Sequence, residues 1–130
     1  MRPDARSAAR DILVLVVDDD PEVRVVVAEC LEEAGFDTIQ AENGVAALRL
    51  LAENRDVKLI ISDIRMPQMS GIELAEAARR QQPDLAVILI SGYFLPQQVG
   101  FPFLRKPFRL AELRAAIETE LAFRAAGGNR

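Results

Sequence analysis

The chain has 130 residues, 50% of them apolar, with 20 acidic and 16 basic side chains and a net charge of −4. That is enough for one domain with a packed core. A lone cysteine excludes an internal disulfide, the lack of histidine leaves few ligands for zinc, and modest acidity without a basic stripe argues against direct contact with nucleic acid.

No apolar run is long enough to span a bilayer, and the arginines near the N-terminus are not followed by an apolar signal segment. A cytoplasmic protein without membrane insertion is therefore expected. Residues 1–10 read as a flexible tail, 11–124 as the folded domain and 125–130 as a second flexible tail.

The first strand is expected at 12–17, where Leu13-Val14-Leu15-Val16-Val17 ends in Asp18-Asp19-Asp20. Asp20-Pro21 then reads as a helix start, with an N-cap carboxylate and proline at the first helical position. Val23, Val26, Val27, Cys30, Leu31 and Ala34 recur at helical spacing, and Gly35 is placed to end the helix. Cys30 belongs to that stripe as a small packing residue. Phe36 to Ala41 gives a weaker second strand, and Asn43 caps a helix whose apolar face reads Val45, Leu48, Leu51 and Ala52.

The third strand, about 57–62, carries Leu59-Ile60-Ile61-Ser62 and ends in Asp63. The breakers Pro67 and Gly71 follow, then a helix from Ile72 to Gln81 stopped by Pro83. Leu85 to Ile90 forms the fourth strand, ending in Ser91-Gly92. A short fifth strand, Phe103-Leu104-Arg105, leads into Lys106. The last helix spans Leu110 to Phe123 without a polar N-cap, its inward face reading Leu110, Leu113, Ile117 and Leu121.

Strand and helix alternate throughout, which implies a parallel sheet covered on both faces. Right-handed crossovers and the placement of polar residues after the strands favour a doubly wound, five-stranded α/β sandwich. In such sheets the carboxyl ends of the strands share one edge, where ligands bind. Asp18, Asp19, Asp63, Ser91 and Lys106 then converge there. Two carboxylates about 4 Å apart repel by roughly 4 kcal/mol at an effective dielectric near 20. The cluster therefore calls for a divalent cation, a proton or an ammonium, and hard oxygen donors suit magnesium.

Val16-Val17-Asp18-Asp19-Asp20-Pro21, Ser62-Asp63-Ile64-Arg65-Met66-Pro67 with Gly71, Ser91-Gly92 and Lys106-Pro107-Phe108 resemble a response-regulator receiver domain over nearly the whole chain. The resemblance implies a flavodoxin-like sheet of order 2-1-3-4-5, and that Asp63 is the phosphoacceptor of a two-component system or phosphorelay. Magnesium, or manganese in its place, would be held by Asp19, Asp63 and the Arg65 backbone carbonyl, with Asp18 acting through a coordinated water. Ser91 would hydrogen-bond the phosphoryl group, Lys106 would pair with one of its oxygens, and Phe103 falls on the aromatic switch position. The Lys106-Pro107 bond is expected to be cis. The implied partners are a histidine kinase or histidine phosphotransfer protein and an unknown downstream protein target. Such a chain is not an enzyme on other substrates, although it catalyses its own magnesium-dependent phosphorylation and dephosphorylation.

The interval from Ser91 to Lys106 is shorter than the family's usual spacing, and Pro96 and Gly100 interrupt it. A whole parallel crossover needs at least about 10–12 residues, so the fourth helix, between strands four and five, is expected to be shortened or absent. Ser91-Gly92-Tyr93 is similar to single-domain receivers with a Phe-Ala-Thr-Gly-Tyr type signature. Phe94, Leu95, Val99 and Phe101 then either cover the sheet edge or form a partner groove, and the 92–101 loop is expected to tighten on phosphorylation. Two other functions compete. A pseudo-receiver would bind partners without phosphorylation. A haloacid dehalogenase-like phosphohydrolase would use Asp18 as nucleophile with Asp20 two positions on, but Pro21-Glu22 departs from that pattern.

Overall fold

Val57–Asp63 (β3) is the middle strand of a five-stranded sheet, and its apolar residues Leu59, Ile60 and Ile61 are wholly buried. The computed structural model describes residues 12–92 and 100–128. Ahead of β3 come β1 (Leu13–Val17), α1 (Pro21–Glu33), β2 (Asp37–Ala41) and α2 (Gly44–Glu53). After it come α3 (Gly71–Gln81), β4 (Ala86–Ser91), β5 (Phe103–Arg105) and α4 (Leu110–Ala125). The order is β2-β1-β3-β4-β5 and every pairing is parallel, as the alternating pattern predicts, in the flavodoxin-like order that the resemblance implies.

Side chains alternate across the sheet and build two cores. Leu15, Val17, Ile60, Val87 and Leu89 meet Ala47 and Leu51 of α2 and Leu74, Ala75 and Ala78 of α3. Val14, Val16, Leu59, Ile61, Ile88 and Ile90 meet Val27, Ala28 and Leu31 of α1 and Leu113 and Ile117 of α4. Full burial of each large aliphatic side chain contributes about 1.5–3 kcal/mol. One irregularity sets the parity: the β1–β3 register shifts between Leu13↔Val57 and Val14↔Leu59, skipping the exposed Lys58. The extra residue puts Val57 and Leu59 in opposite cores, as a bulge does.

Local chemistry explains the helix ends. Asp20 caps α1 by accepting from the amides of Glu22 and Val23, with Pro21 in the first turn. Gly35, at φ 101, lets the amides of Gly35 and Phe36 close on the carbonyls of Glu32 and Leu31, the paired bonds of a Schellman ending. Asn43 caps α2 through the amide of Ala46. Ser70 and Glu73 form a reciprocal capping box on α3. At α4 the main-chain amide of Arg109 donates to Glu112 at 2.7 Å, so only half of such a box is present.

Three helix faces differ from the sequence reading. Val26 is 56% exposed and Leu110 38%, because both line an open apolar groove of ≈ 710 Å³ between α1 and the start of α4. Val45 is 54% exposed and Ala52 faces solvent, since α2 packs through Ala47 and Leu51 instead. On α4 the third buried position is Glu120, with Leu121 only half-buried. Glu120 lies 3.7 Å from the guanidinium of Arg79, whose Nε donates to the Leu85 carbonyl and whose plane stands over the Phe101 ring. The pair joins α3 to α4 past the short β5.

α4 runs to Ala125, two residues beyond the expected end at Phe123 and one past the boundary at 124. The reading of a shortened or absent fourth helix, and the positions Phe94, Leu95, Val99 and Pro96, fall on 93–99 and lie outside the described residues, as does the tail 1–10. Gly92 and 100–102 are not helical, and Phe101 is half-buried against the core beneath α2 and α3.

Gly71 opens α3 beneath the end of β3, its amide donating to the Ile64 carbonyl at 2.9 Å. A Cβ there would collide with the Asp63 carbonyl oxygen and crowd the Ile64 Cα, both rigid backbone. Gly71→Ala is therefore expected to cost about 2 kcal/mol or more in urea denaturation, at the upper end of overpacking effects.

Candidate functional site

Register brings the site together. Val17 of β1 pairs with Ser62 of β3, so Asp18 and Asp63, the next residues, stand level at the carboxyl edge. Asp63 pairs with Ile90, Ser91 with Arg105, and Lys106 is the next residue after β5. The Lys106 amide donates to the Ser91 carbonyl at 2.7 Å, tying the last loop to β4. The Lys106-Pro107 peptide bond is cis.

One carboxylate oxygen from each of Asp18, Asp19 and Asp63 lies within 4.8 Å of the others. Asp18 is buried, Asp19 exposed and Asp63 half-buried. Lys106 Nζ stands 3.8 Å from Asp18 Oδ2 and 3.9 Å from Asp63 Oδ2. The ammonium thus compensates two carboxylates by charge without a close hydrogen bond to either.

Burial, the largest influence, pushes the Asp18 carboxyl up; the Asp20 amide opposes it, Asp63 and Asp19 add repulsion, and Lys106 pulls back. Burial likewise raises Asp63, against the pull of Lys106 and the amides of Ile64 and Arg65, with Asp19 again repelling. For both groups the favourable contacts fail to offset the loss of water and the crowding of like charge. All donors of the cluster are hard oxygens, which fits a hard divalent cation and not a thiolate- or imidazole-seeking metal.

The remaining expected positions lie on β4, on β5 and in the loop after β3. Ser91 ends β4 and is fully buried. Arg65 is exposed in the loop after β3, and its amide bonds the Asp63 carboxylate. Phe103 opens β5 and is 45% exposed. Asp20, the second aspartate of the phosphohydrolase alternative, is taken up by its capping role and is not among the three clustered carboxylates.

The sequence pattern of the response regulator receiver domain matches residues 14–118, from β1 into α4. The chain belongs to the response-regulator receiver family. The receiver is 36% identical over 115 residues to the response regulator receiver protein CpdR of Brucella abortus, covering 83% of this chain and 95% of that protein. It is 34% identical over 116 residues to the sensor kinase CckA of the same species, covering 83% of this chain but spanning only 12% of the kinase. Among solved structures it is similar to the response regulator TrrA of Thermotoga maritima, crystallised in complex with Mg²⁺-BeF. There the TM-score is 0.76 at 32% identity, with 83% of this chain and 97% of that one covered.

The sequence reading of the receiver missed Arg24. Its Nη1 donates to the Asp18 carbonyl at 2.7 Å and its Nε to Gln40 Oε1 at 3.2 Å. A signal existed, because helix side chains lean towards the N-terminus. A long cation one turn into α1 reaches back over the aspartate run. The amides that hold Asp63 were missed for a different reason: main-chain donors leave no trace in residue identity.

The raised carboxyl of Asp63 has a stability consequence. Its contribution is fully present below the ordinary value of 3.8 and is lost as pH rises through the higher folded value. Metal-free Asp63→Asn is therefore expected to be more stable than the wild type at neutral pH, by about 1 kcal/mol on the usual scale of single-site effects. Urea titrations in chelator should show the gap narrowing as pH falls towards 3.8. Saturating magnesium should reverse the order, since a ligand at 100 times its Kd adds about 2.7 kcal/mol to the state that binds it.

Proposed function

We propose that this receiver accepts a phosphoryl group on Asp63 from the phosphohistidine of a histidine kinase or histidine phosphotransfer protein, and relays the change to a downstream protein. The observation that carries the reading is the level placement of Asp18 and Asp63 with Lys106 Nζ within 4 Å of both. Asp63, its side chain 15% exposed, is the more reachable of those two carboxylates, against 6% for Asp18.

In this reading an Asp63 carboxylate oxygen attacks phosphorus. The new P–O bond forms as the P–N bond to imidazole breaks, and the departing nitrogen keeps the bonding pair and takes a proton. Lys106 balances charge on the phosphoryl oxygens as it moves from donor to acceptor, so positioning and electrostatics supply most of the catalysis. Asp18, Asp19, Asp63 and the Arg65 main-chain carbonyl would hold magnesium, or manganese, which when bound neutralises the same oxygens. The Arg65 amide helps hold the Asp63 carboxylate, while the Ile64 amide ties the strand end to β4 through the Ile90 carbonyl at 3.0 Å.

Once the aspartyl phosphate exists, it offers strong acceptors to the Ser91 hydroxyl. Drawing that hydroxyl towards Asp63 makes room beside β4 for the Phe103 ring, now 45% exposed. The result is a two-state change in surface set by one covalent event. A partner reaching Asp63 meets apolar surface beside it, because the groove carrying Val26 and Leu110 also includes Lys106.

Incubation with acetyl phosphate and magnesium followed by intact-mass measurement tests the proposal. The wild type should gain one phosphoryl group and Asp63→Asn none, and Lys106→Gln should slow the gain by about 10²-fold, the scale of losing one preorganised electrostatic contact. Incorporation that survives Asp63→Asn but not Asp18→Asn would favour the hydrolase chemistry. No incorporation by the wild type would favour the pseudo-receiver.

A further inference from the structure

We infer that Arg24 is a positioning residue for the acidic cluster, holding the peptide between Asp18 and Asp19 so that both carboxylates point at one cation. The inference rests on the reading of that cluster as a magnesium site. It is carried by a contact that capping and packing do not require. Arg24 bonds the main chain of the site at the Asp18 carbonyl, next to the side chains of two of the three clustered carboxylates.

Asp18 lies just past the β1 ladder, and each of its polar groups is held separately. Its amide donates to the Ala41 carbonyl at 3.2 Å, and its Oδ1 accepts from the Asp20 amide at 2.9 Å. Its carbonyl accepts from Arg24 Nη1 at 2.7 Å. That carbonyl and the Asp19 amide belong to one rigid peptide plane. Fixing the carbonyl fixes ψ of Asp18 and φ of Asp19, and with them the directions in which both side chains leave the backbone.

The second tooth of the guanidinium anchors the clamp. Arg24 Nε donates to Gln40 Oε1 at 3.2 Å, so one planar group spans α1, the aspartate turn and the edge strand β2. A lysine supplies the charge but a single flexible donor head, so it cannot reproduce both bonds in one plane. Because Arg24 takes a carbonyl oxygen, it leaves the carboxylate oxygens of the cluster to a metal.

Magnesium affinity of the full chain, measured by calorimetry and by amide shifts at 18–20 and 63–65, tests the role. Arg24→Gln is expected to bind magnesium at least about 10-fold more weakly, the loss typical of removing a partner that orients a metal ligand. Arg24→Lys should fall between that variant and the wild type. Gln40→Leu, which removes one tooth at an exposed side chain, should weaken binding by a smaller factor while leaving the metal-free melting temperature near that of the wild type. A purely structural clip between α1 and β2 would instead lower melting temperatures and leave affinity unchanged in the folded variants, which overturns the inference alone. A wild type that binds no magnesium overturns the inference and the reading beneath it together.

Discussion

Like charges forced together at the end of a hydrophobic sheet are the constraint on which this structure depends. Asp18 and Asp63 follow the two central strands at the same level, with Asp19 beside them. Carboxylates at this spacing repel by several kcal/mol at an effective dielectric near 20. The strands behind them are buried on both faces, each large aliphatic residue contributing about 1.5–3 kcal/mol. The sheet can therefore hold an arrangement that its local electrostatics oppose. Lys106 relieves part of the repulsion from beyond hydrogen-bond range, and both carboxyls stay raised. In the proposed reading, the unrelieved remainder is what a cation or a phosphoryl-transfer step would act on.

The same constraint accounts for the devices around the edge. Gly71 lets α3 begin directly under the Asp63 carbonyl, where a side chain would not fit. The Lys106 amide and Ser91 carbonyl fasten the last loop to β4, placing the ammonium opposite the acids. Arg24 fastens the first loop from the other side. Each acts on backbone, which leaves the charged side-chain ends available.

The sheet and most of its site were legible in the sequence because the central strands are continuous apolar runs, and each run stops at a polar residue. Parallel order carries those stops to one edge without further information. Helix faces were less legible. Periodicity marks a stripe but not whether a neighbour covers all of it, so Val26 and Leu110 read as core while they line an open groove. Val45 likewise yields to Ala47, whose small side chain lets α2 approach the sheet. Glu120 could not be foreseen, since its burial depends on Arg79, far away in sequence and on a different helix. The bulge at Lys58 and the amides holding Asp63 were invisible for the same reason: both are properties of main-chain geometry.

The central claim, that the crowded edge is a cation site, is tested most directly by paramagnetic broadening. Manganese titrated into the ¹⁵N-labelled chain should broaden the amides of 18–20, 63–65 and 106 first. Residues at the opposite edge of the same strands, such as Leu13, Val57 and Ala86, should stay sharp. Broadening spread over exposed acids elsewhere, with Asp18 and Asp63 unaffected, would contradict the account.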